Sequence, residues 1–291
     1  QALGQGWQQT IDYTIEATLN DKEKSITGFE TVTYKNNSPD TLTFIWFHVW
    51  PNAYKNDQTA FSNQLLESGE TDFYFAEKMQ RGYINRLQFS VDGVTARMED
   101  HEEHIDIVKV WLPTPLAPGK QVAITTPFYV KLPYNFSRGG FDGNTFQATQ
   151  WYPKAALYDK DGWHPMPYLH LGEYYSNFGR YDVSLTLPQQ YVIAATGQLQ
   201  NAEELEWLKS RKNYQLPKPV TTKKTYIPKN KTTSLQPAAN TEINFKTLRY
   251  LQDSVHDFAW FANPHFVVQH DTCQVKGGNI IDVFSFYTPV Q

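Results

Sequence analysis

The chain has 291 residues, enough to bury a sizeable core in one large β domain or two smaller ones. Its 26 basic and 30 acidic residues leave a net charge of −4, which removes the electrostatic case for nucleic acid or an anionic membrane surface. A single cysteine, Cys273, excludes an internal disulfide, and no apolar run reaches the roughly 18 residues needed to span a bilayer.

Aromatic residues make up 15% of the chain, which favours strands over helices. Ile11, Tyr13, Ile15, Ala17 and Leu19 alternate with polar residues, Asn20-Asp21 marks a turn, and alternation resumes over residues 26–34, predicting a hairpin. Residues 42–50 are apolar on both faces and predict a strand buried between layers, ended by Pro51-Asn52. A short helix is predicted over 59–67, with Phe61, Leu65 and Leu66 on one side. Strand rhythm returns over 84–91, turns at Asp92-Gly93, and continues over 94–98 and 105–112. The prolines and glycine of 113–119 then break it before a strand over 121–132. This succession of short strands predicts an all-β domain.

The segment from Gly139 to Tyr175 is the densest in groups that both stack and hydrogen-bond: Trp151, Tyr152, Tyr158, Trp163, Tyr168, Tyr174 and Tyr175, with Gln147 and Gln150. It reads either as an aromatic loop packed on a sheet or as a ligand site. Beyond it, 181–187 and 191–195 predict a hairpin around Pro188, and 201–212 a helix with Glu203 and Glu204 in its first turn and basic residues in its last. Residues 208–240 are basic and rich in Pro, Ser and Thr, as expected of a solvated excursion between strands or of an arm for an acidic partner. Strands over 243–251, 265–270 and 280–287 complete the chain.

Two segments resemble one known family. Thr149-Gln150-Trp151-Tyr152-Pro153, followed by Ala155, Ala156 and an Asp-rich turn at 159–163, resembles the Thr-Gln-x-Glu-Pro...Ala-Arg...Phe-Pro-x-x-Asp segment of the aminopeptidase N family of zinc metallopeptidases. Val255-His256-Asp257-Phe258-Ala259-Trp260 is similar to a segment late in the same family's β domain. The resemblance implies a single N-terminal β domain over 1–291, a large curved, saddle-shaped, mostly antiparallel sheet packed on smaller sheets, with one or two short helices. It implies a peptide substrate whose N-terminal end lies near Gln150, Trp151 and Tyr152. Gln150 matches the family's pocket glutamine, whereas Tyr152 stands where the family has the Glu that helps hold the substrate's α-amine. A neutral phenol gives an ammonium group no charge-assisted bond.

The family's zinc would belong to a C-terminal thermolysin-like catalytic domain absent from this chain. No His-Glu-x-x-His motif occurs, so the chain alone is expected to bind no catalytic zinc and to hydrolyse nothing. His101-Glu102-Glu103-His104 has its histidines three apart in a strand-and-turn context, which predicts a solvated hairpin end. His164, His170 and Glu173 form a zinc-compatible set without a spacing that fixes geometry, and His48 is expected to be a hydrogen-bonded core residue. Cys273 has no partner arrangement that would make it a nucleophile. The chain opens at Gln1 with no initiator Met, which suits signal-peptide removal or a trimmed chain. Phe47-His-Val-Trp-Pro51-Asn-Ala-Tyr looks like exported Bacteroidetes-type enzymes and favours export. A reading from another class treats the chain as a secreted carbohydrate- or peptide-binding module, with Trp151 and its neighbours as stacking platforms and Asp142, Asn144 and Gln147 as polar contacts.

Overall fold

A computed structural model describes residues 7–211 and 244–288. Within them the chain is all-β with two short α-helices, Ala60–Glu67 and Ala202–Ser210. The largest sheet has nine strands. From one edge it runs Gln198–Leu199, Phe245–Val255, Gly179–Pro188, Thr10–Asn20, Ser25–Lys35 and Gln121–Lys131, then two-residue strands at 90–91 and 94–95. Tyr83–Asn85 also pairs with Gln121–Lys131. Thr10–Asn20 and Gly179–Pro188 run parallel, and the other paired strands of this sheet run antiparallel.

Two four-stranded sheets pack on it. One joins Lys154–Ala155, Leu42–His48, Ile107–Leu116 and Met98–Asp100; the other joins Gly140–Asp142, Thr145–Ala148, Trp260–Asn263 and Val192–Ala195. The alternation in the first strand explains the arrangement. Ile11, Tyr13, Ile15, Ala17 and Leu19 are all buried, and they share one core with Ile45 and Phe47 of one small sheet and Phe146, Trp260 and Ala262 of the other. The predicted hairpin forms with Tyr13 opposite Val32, and the Asn20 side chain closes its turn by accepting from the N–H groups of Lys22 and Glu23 at 3.2 and 3.0 Å.

Gly28 faces Phe128 across the sheet, and the ring occupies the space a side chain would need: a Cβ on Gly28 would lie 2.3 Å from Phe128 Cζ. Two positions along on the same face, Glu30 is fully buried with no partner for either carboxylate oxygen. Burial pushes its pKa well above the ordinary carboxylate value. An acid raised in this way contributes most stability at or below its unfolded pKa and loses it as pH rises towards the folded value. Glu30→Met is therefore expected to stabilise the protein by about 1–3 kcal/mol at pH 8 and by less at pH 5. Urea midpoints of both proteins at the two pH values check this, and a variant less stable than the parent at pH 8 would contradict it.

The structure corrects several expected boundaries. Ile107–Leu116 continues through Pro113 and Pro115, because its pairing with Leu42–His48 slips between Leu42 and Phe44, and the prolines fall in that irregularity where no ladder N–H is required. The strand expected over 84–91 is two pieces, broken at Arg86 with φ 61°. Trp50 leaves its strand and opens a 3-10 turn, Trp50–Tyr54. Gly179–Pro188 and Val192–Ala195 are not a hairpin, since the chain crosses between sheets and Val192 pairs with Asn263. The helix expected over 59–67 forms with Thr59 as its cap, accepting from Ser62 N at 3.3 Å. The basic excursion over 208–240 lies almost wholly outside the described residues, as does the start of the strand expected at Ile243.

Candidate functional site

The two segments singled out by sequence lie where the chain passes between sheets. Thr145–Ala148 ends beside Trp260, the chain reverses at Gln150, and Lys154–Ala155 then pairs with Phe47 and His48 in the other small sheet. Gln150 holds φ at 47°, a left-handed conformation that a non-glycine residue adopts only where its surroundings hold it there. The second segment is also a crossing. After Phe245–Val255 leaves the large sheet, with Ser254 at φ 57°, residues 256–259 lead into Trp260–Asn263.

The crossings meet at Asp257. Its Oδ1 accepts from the Tyr152 hydroxyl at 2.7 Å and from Phe258 N at 2.8 Å. Its Oδ2 accepts from Gln150 Nε2 at 3.2 Å and pairs with Lys154 Nζ at 3.5 Å. Lys154 also donates to the His256 carbonyl, and Trp151 Nε1 donates to the Phe258 carbonyl at 3.0 Å. Gln150, Trp151, Tyr152 and Lys154 thus each find a polar partner in the second segment.

Aromatic packing fixes this junction. Trp151 and Tyr152 are each 1% exposed. Trp151 packs edge-on against Phe128, Tyr152 and Trp260, so the ring admitted by Gly28 also supports the segment. Tyr152 lies against Tyr13 and Tyr181, which stack on each other with centroids 4.8 Å apart, and its hydroxyl is 3.0 Å from that of Tyr181. Burial, and then the Asp257 charge, raise the Tyr152 pKa well above the ordinary phenol value. Burial lowers the pKa of Lys154, with Asp257 opposing the shift. His48 stacks on Trp50 at 4.3 Å, and burial together with nearby Lys154 brings its pKa down to about 3. It is therefore neutral near pH 7, and its Nε2 accepts from Met166 N at 3.1 Å.

A small cleft of about 20 Å³ opens beside Gln150, bounded by Trp50, Gly139, Gly140, Gln147 and Thr149. Gly140 is required there: φ is 139°, and a Cβ would meet the Pro133 and Tyr134 carbonyls at 2.7 Å. Two buried acceptors at this cleft, Gln150 Oε1 and Thr149 Oγ1, have no partner. A larger cleft of about 690 Å³ lies elsewhere, between the Ala202–Ser210 helix and the hairpin of Val267–Gln274 and Ile280–Tyr287. Its walls are mostly aliphatic and aromatic, and its one carboxylate, Asp282, is engaged by His270 at 2.6 Å.

The remaining sequence candidates are dispersed. His164 Nε2 meets Asp159 at 2.7 Å, His170 Nδ1 lies 2.9 Å from Ser137 Oγ, and Glu173 is exposed. His101 stacks on His104 at 5.1 Å on a turn, Asp142 and Asn144 are exposed, and Cys273 is an exposed thiol on a strand. Among the described residues no three His, Cys, Asp or Glu side chains come together to hold a metal ion, so no chemical step is derived through zinc in this chain. No described helix is long and apolar enough to cross a membrane. Tyr168 is buried with its hydroxyl 2.7 Å from that of Tyr54, and with Trp151 and Tyr152 it turns its ring into the core. Sequence reasoning missed Lys154 and the role of Asp257. The signal was a lone charge in Pro153-Lys-Ala-Ala-Leu157, since a lysine flanked by apolar residues on a buried strand requires a carboxylate partner.

No protein-family model matches the sequence, and a search of curated proteins finds no match. Solved structures share the fold. A two-domain M1 zinc metallopeptidase mutant bound to L-arginine matches with a TM-score of 0.50 and 14% identity, over 97% of this chain and 48% of that one. An M1 zinc metallopeptidase mutant from Deinococcus radiodurans bound to a Tyr-Ser-Ala substrate gives 0.50 and 14%, over 96% and 48%. Another structure of a mutant M1 zinc metallopeptidase from that organism gives 0.51 and 13%, over 96% and 48%. The chain spans about half the length of the structures it matches, and at these identities the likeness establishes the fold.

Proposed function

We propose that this chain is the non-catalytic β domain of a zinc-dependent peptidase, in which it caps the active-site cleft and contributes Gln150 to the binding of the substrate's N-terminal end. One observation carries the reading: segments 149–154 and 255–260, which separately resemble the aminopeptidase N family, converge on Asp257. Gln150 and Tyr152 are both held by the Asp257 carboxylate, which supports the reading that this junction meets the substrate's N-terminal end. The shared fold with two-domain M1 zinc metallopeptidases supports the reading, and residues 47–54 support an exported, Bacteroidetes-type parent.

In this proposal the zinc, and the glutamate that activates its water, belong to a thermolysin-like domain following this one. Intact mass and peptide mapping of the native protein test it. The expected result is peptides extending past Gln291 that include a His-Glu-x-x-His sequence, with chelator-sensitive peptide hydrolysis by the native protein. A native mass close to the 33.6 kDa of this chain would sink the proposal.

A further inference from the structure

Resting on the peptidase reading above, we infer that the hairpin of Val267–Gln274 and Ile280–Tyr287 is a docking arm for the domain that follows in the parent protein. That domain covers the arm's outer face and adds a strand to one of its open edges. Three observations carry this.

The first is how little holds the arm. At its base Phe266, Val268, Phe284 and Phe286 pack with Val192, Leu208 and Phe261. Beyond that base, every residue from Asp271 to Val283 is exposed. The two strands pair with each other and, among the described residues, with no other strand. A two-stranded ribbon is marginally stable in water, and a third strand or a covering layer supplies what it lacks.

The second is its sequence. Ile280–Tyr287 carries apolar side chains on both faces, the pattern of a strand covered on both sides. The register sets Ile281 opposite Cys273, Val283 opposite Asp271 and Tyr287 opposite Val267, all on the face turned away from Val268 and Phe286. On that outer face Ile281 and Val283 are 46% exposed and Tyr287 is 40% exposed. On the other face Ile280, which lines the cleft of about 690 Å³, is 70% exposed.

The third is that the edges are unguarded. Neither strand contains Lys, Arg or Pro, the residues by which proteins commonly keep an open edge from pairing. The outer face has Asp271 as its one charge, since Asp282 lies on the other face and is engaged by His270 at 2.6 Å. An adjoining domain is the occupant that fits. Joined downstream of Tyr287, it is presented to the arm at about millimolar effective concentration. About half of the two-domain M1 zinc metallopeptidase sharing this fold has no counterpart in this chain.

The test uses Cys273, the chain's single cysteine and an exposed thiol on the outer face. Maleimide labelling of Cys273, read by peptide mass, is compared between the 291-residue chain and the native-length protein. Labelling is expected to be at least about tenfold slower in the native-length protein. Ile281→Lys combined with Val283→Lys is expected to leave the thermal midpoint of the chain alone within about 2 °C, because both sites are exposed there. In the native-length protein the same double variant is expected to restore fast labelling. Equally fast labelling in the chain alone and in a longer native protein would overturn the docking arm and leave the peptidase reading standing. Slow labelling already in the chain alone would overturn it too, showing that the chain or a second copy covers the arm; a rate that falls with protein concentration would identify the second copy. A native mass that leaves no room for a second domain would remove the peptidase reading and the arm's partner together.

Discussion

Asp257→Ala is expected to destabilise the protein by about 3–5 kcal/mol, because it leaves the Lys154 ammonium buried without a counter-charge. The Lys154 side chain is 3% exposed, and without Asp257 its remaining polar contact is the His256 carbonyl. The same change strips the acceptor from Gln150 Nε2 and Phe258 N, and leaves the Tyr152 hydroxyl only that of Tyr181. A double variant isolates the charge: Lys154→Met combined with Asp257→Asn should recover much of the loss, since a pair replaced by matched neutral groups costs less than one stranded ion. Urea denaturation of the two variants and the parent provides the comparison. A loss under about 1 kcal/mol for Asp257→Ala would place the carboxylate in solvent.

Trp151→Ala is the second large effect, with an expected loss of about 3–5 kcal/mol from the cavity left by a ring that is 1% exposed. Trp151→Phe keeps a ring against Phe128 and Trp260 and loses the 3.0 Å bond to the Phe258 carbonyl, so a smaller loss of about 1–2 kcal/mol is expected. Thermal midpoints with glycan-array binding on the same samples separate core from platform. If Trp151→Ala left the midpoint unchanged while abolishing sugar binding, the indole would be a surface platform and the binding-module account would replace the peptidase one.

Local features of the fold were legible. The first hairpin was readable because its alternation runs unbroken on both sides of Asn20, and the Ala60–Glu67 helix because Phe61 and Leu65 recur at helical spacing. What could not be read was which distant strand lies beside which. Alternation assigns a face and not a neighbour, so the successive segments 181–187 and 191–195 were expected to pair, yet they belong to different sheets. Pro113 and Pro115 signal a break only where every ladder bond is needed, and the irregular pairing at Leu42 relieved that need. At the site, motif resemblance pointed to Gln150, Trp151 and Tyr152. It gave no sign that Trp151 and Tyr152 face inward, nor that the Lys154 charge is answered by a residue about a hundred positions away.

The parallel pairing in the middle of the large sheet also governs how this protein is made. Arg180 N donates to the Asp12 side chain 168 positions earlier, and Tyr13 stacks on Tyr181 beside it. The N-terminal hairpin leaves the ribosome early, but one long edge of it stays open until the partner strand arrives. At about 5–20 residues per second, that interval is on the order of ten seconds or more. During it, the backbone groups along that edge of Thr10–Asn20 have no strand to pair with, which makes this strand the segment a nascent-chain holdase would need to shield.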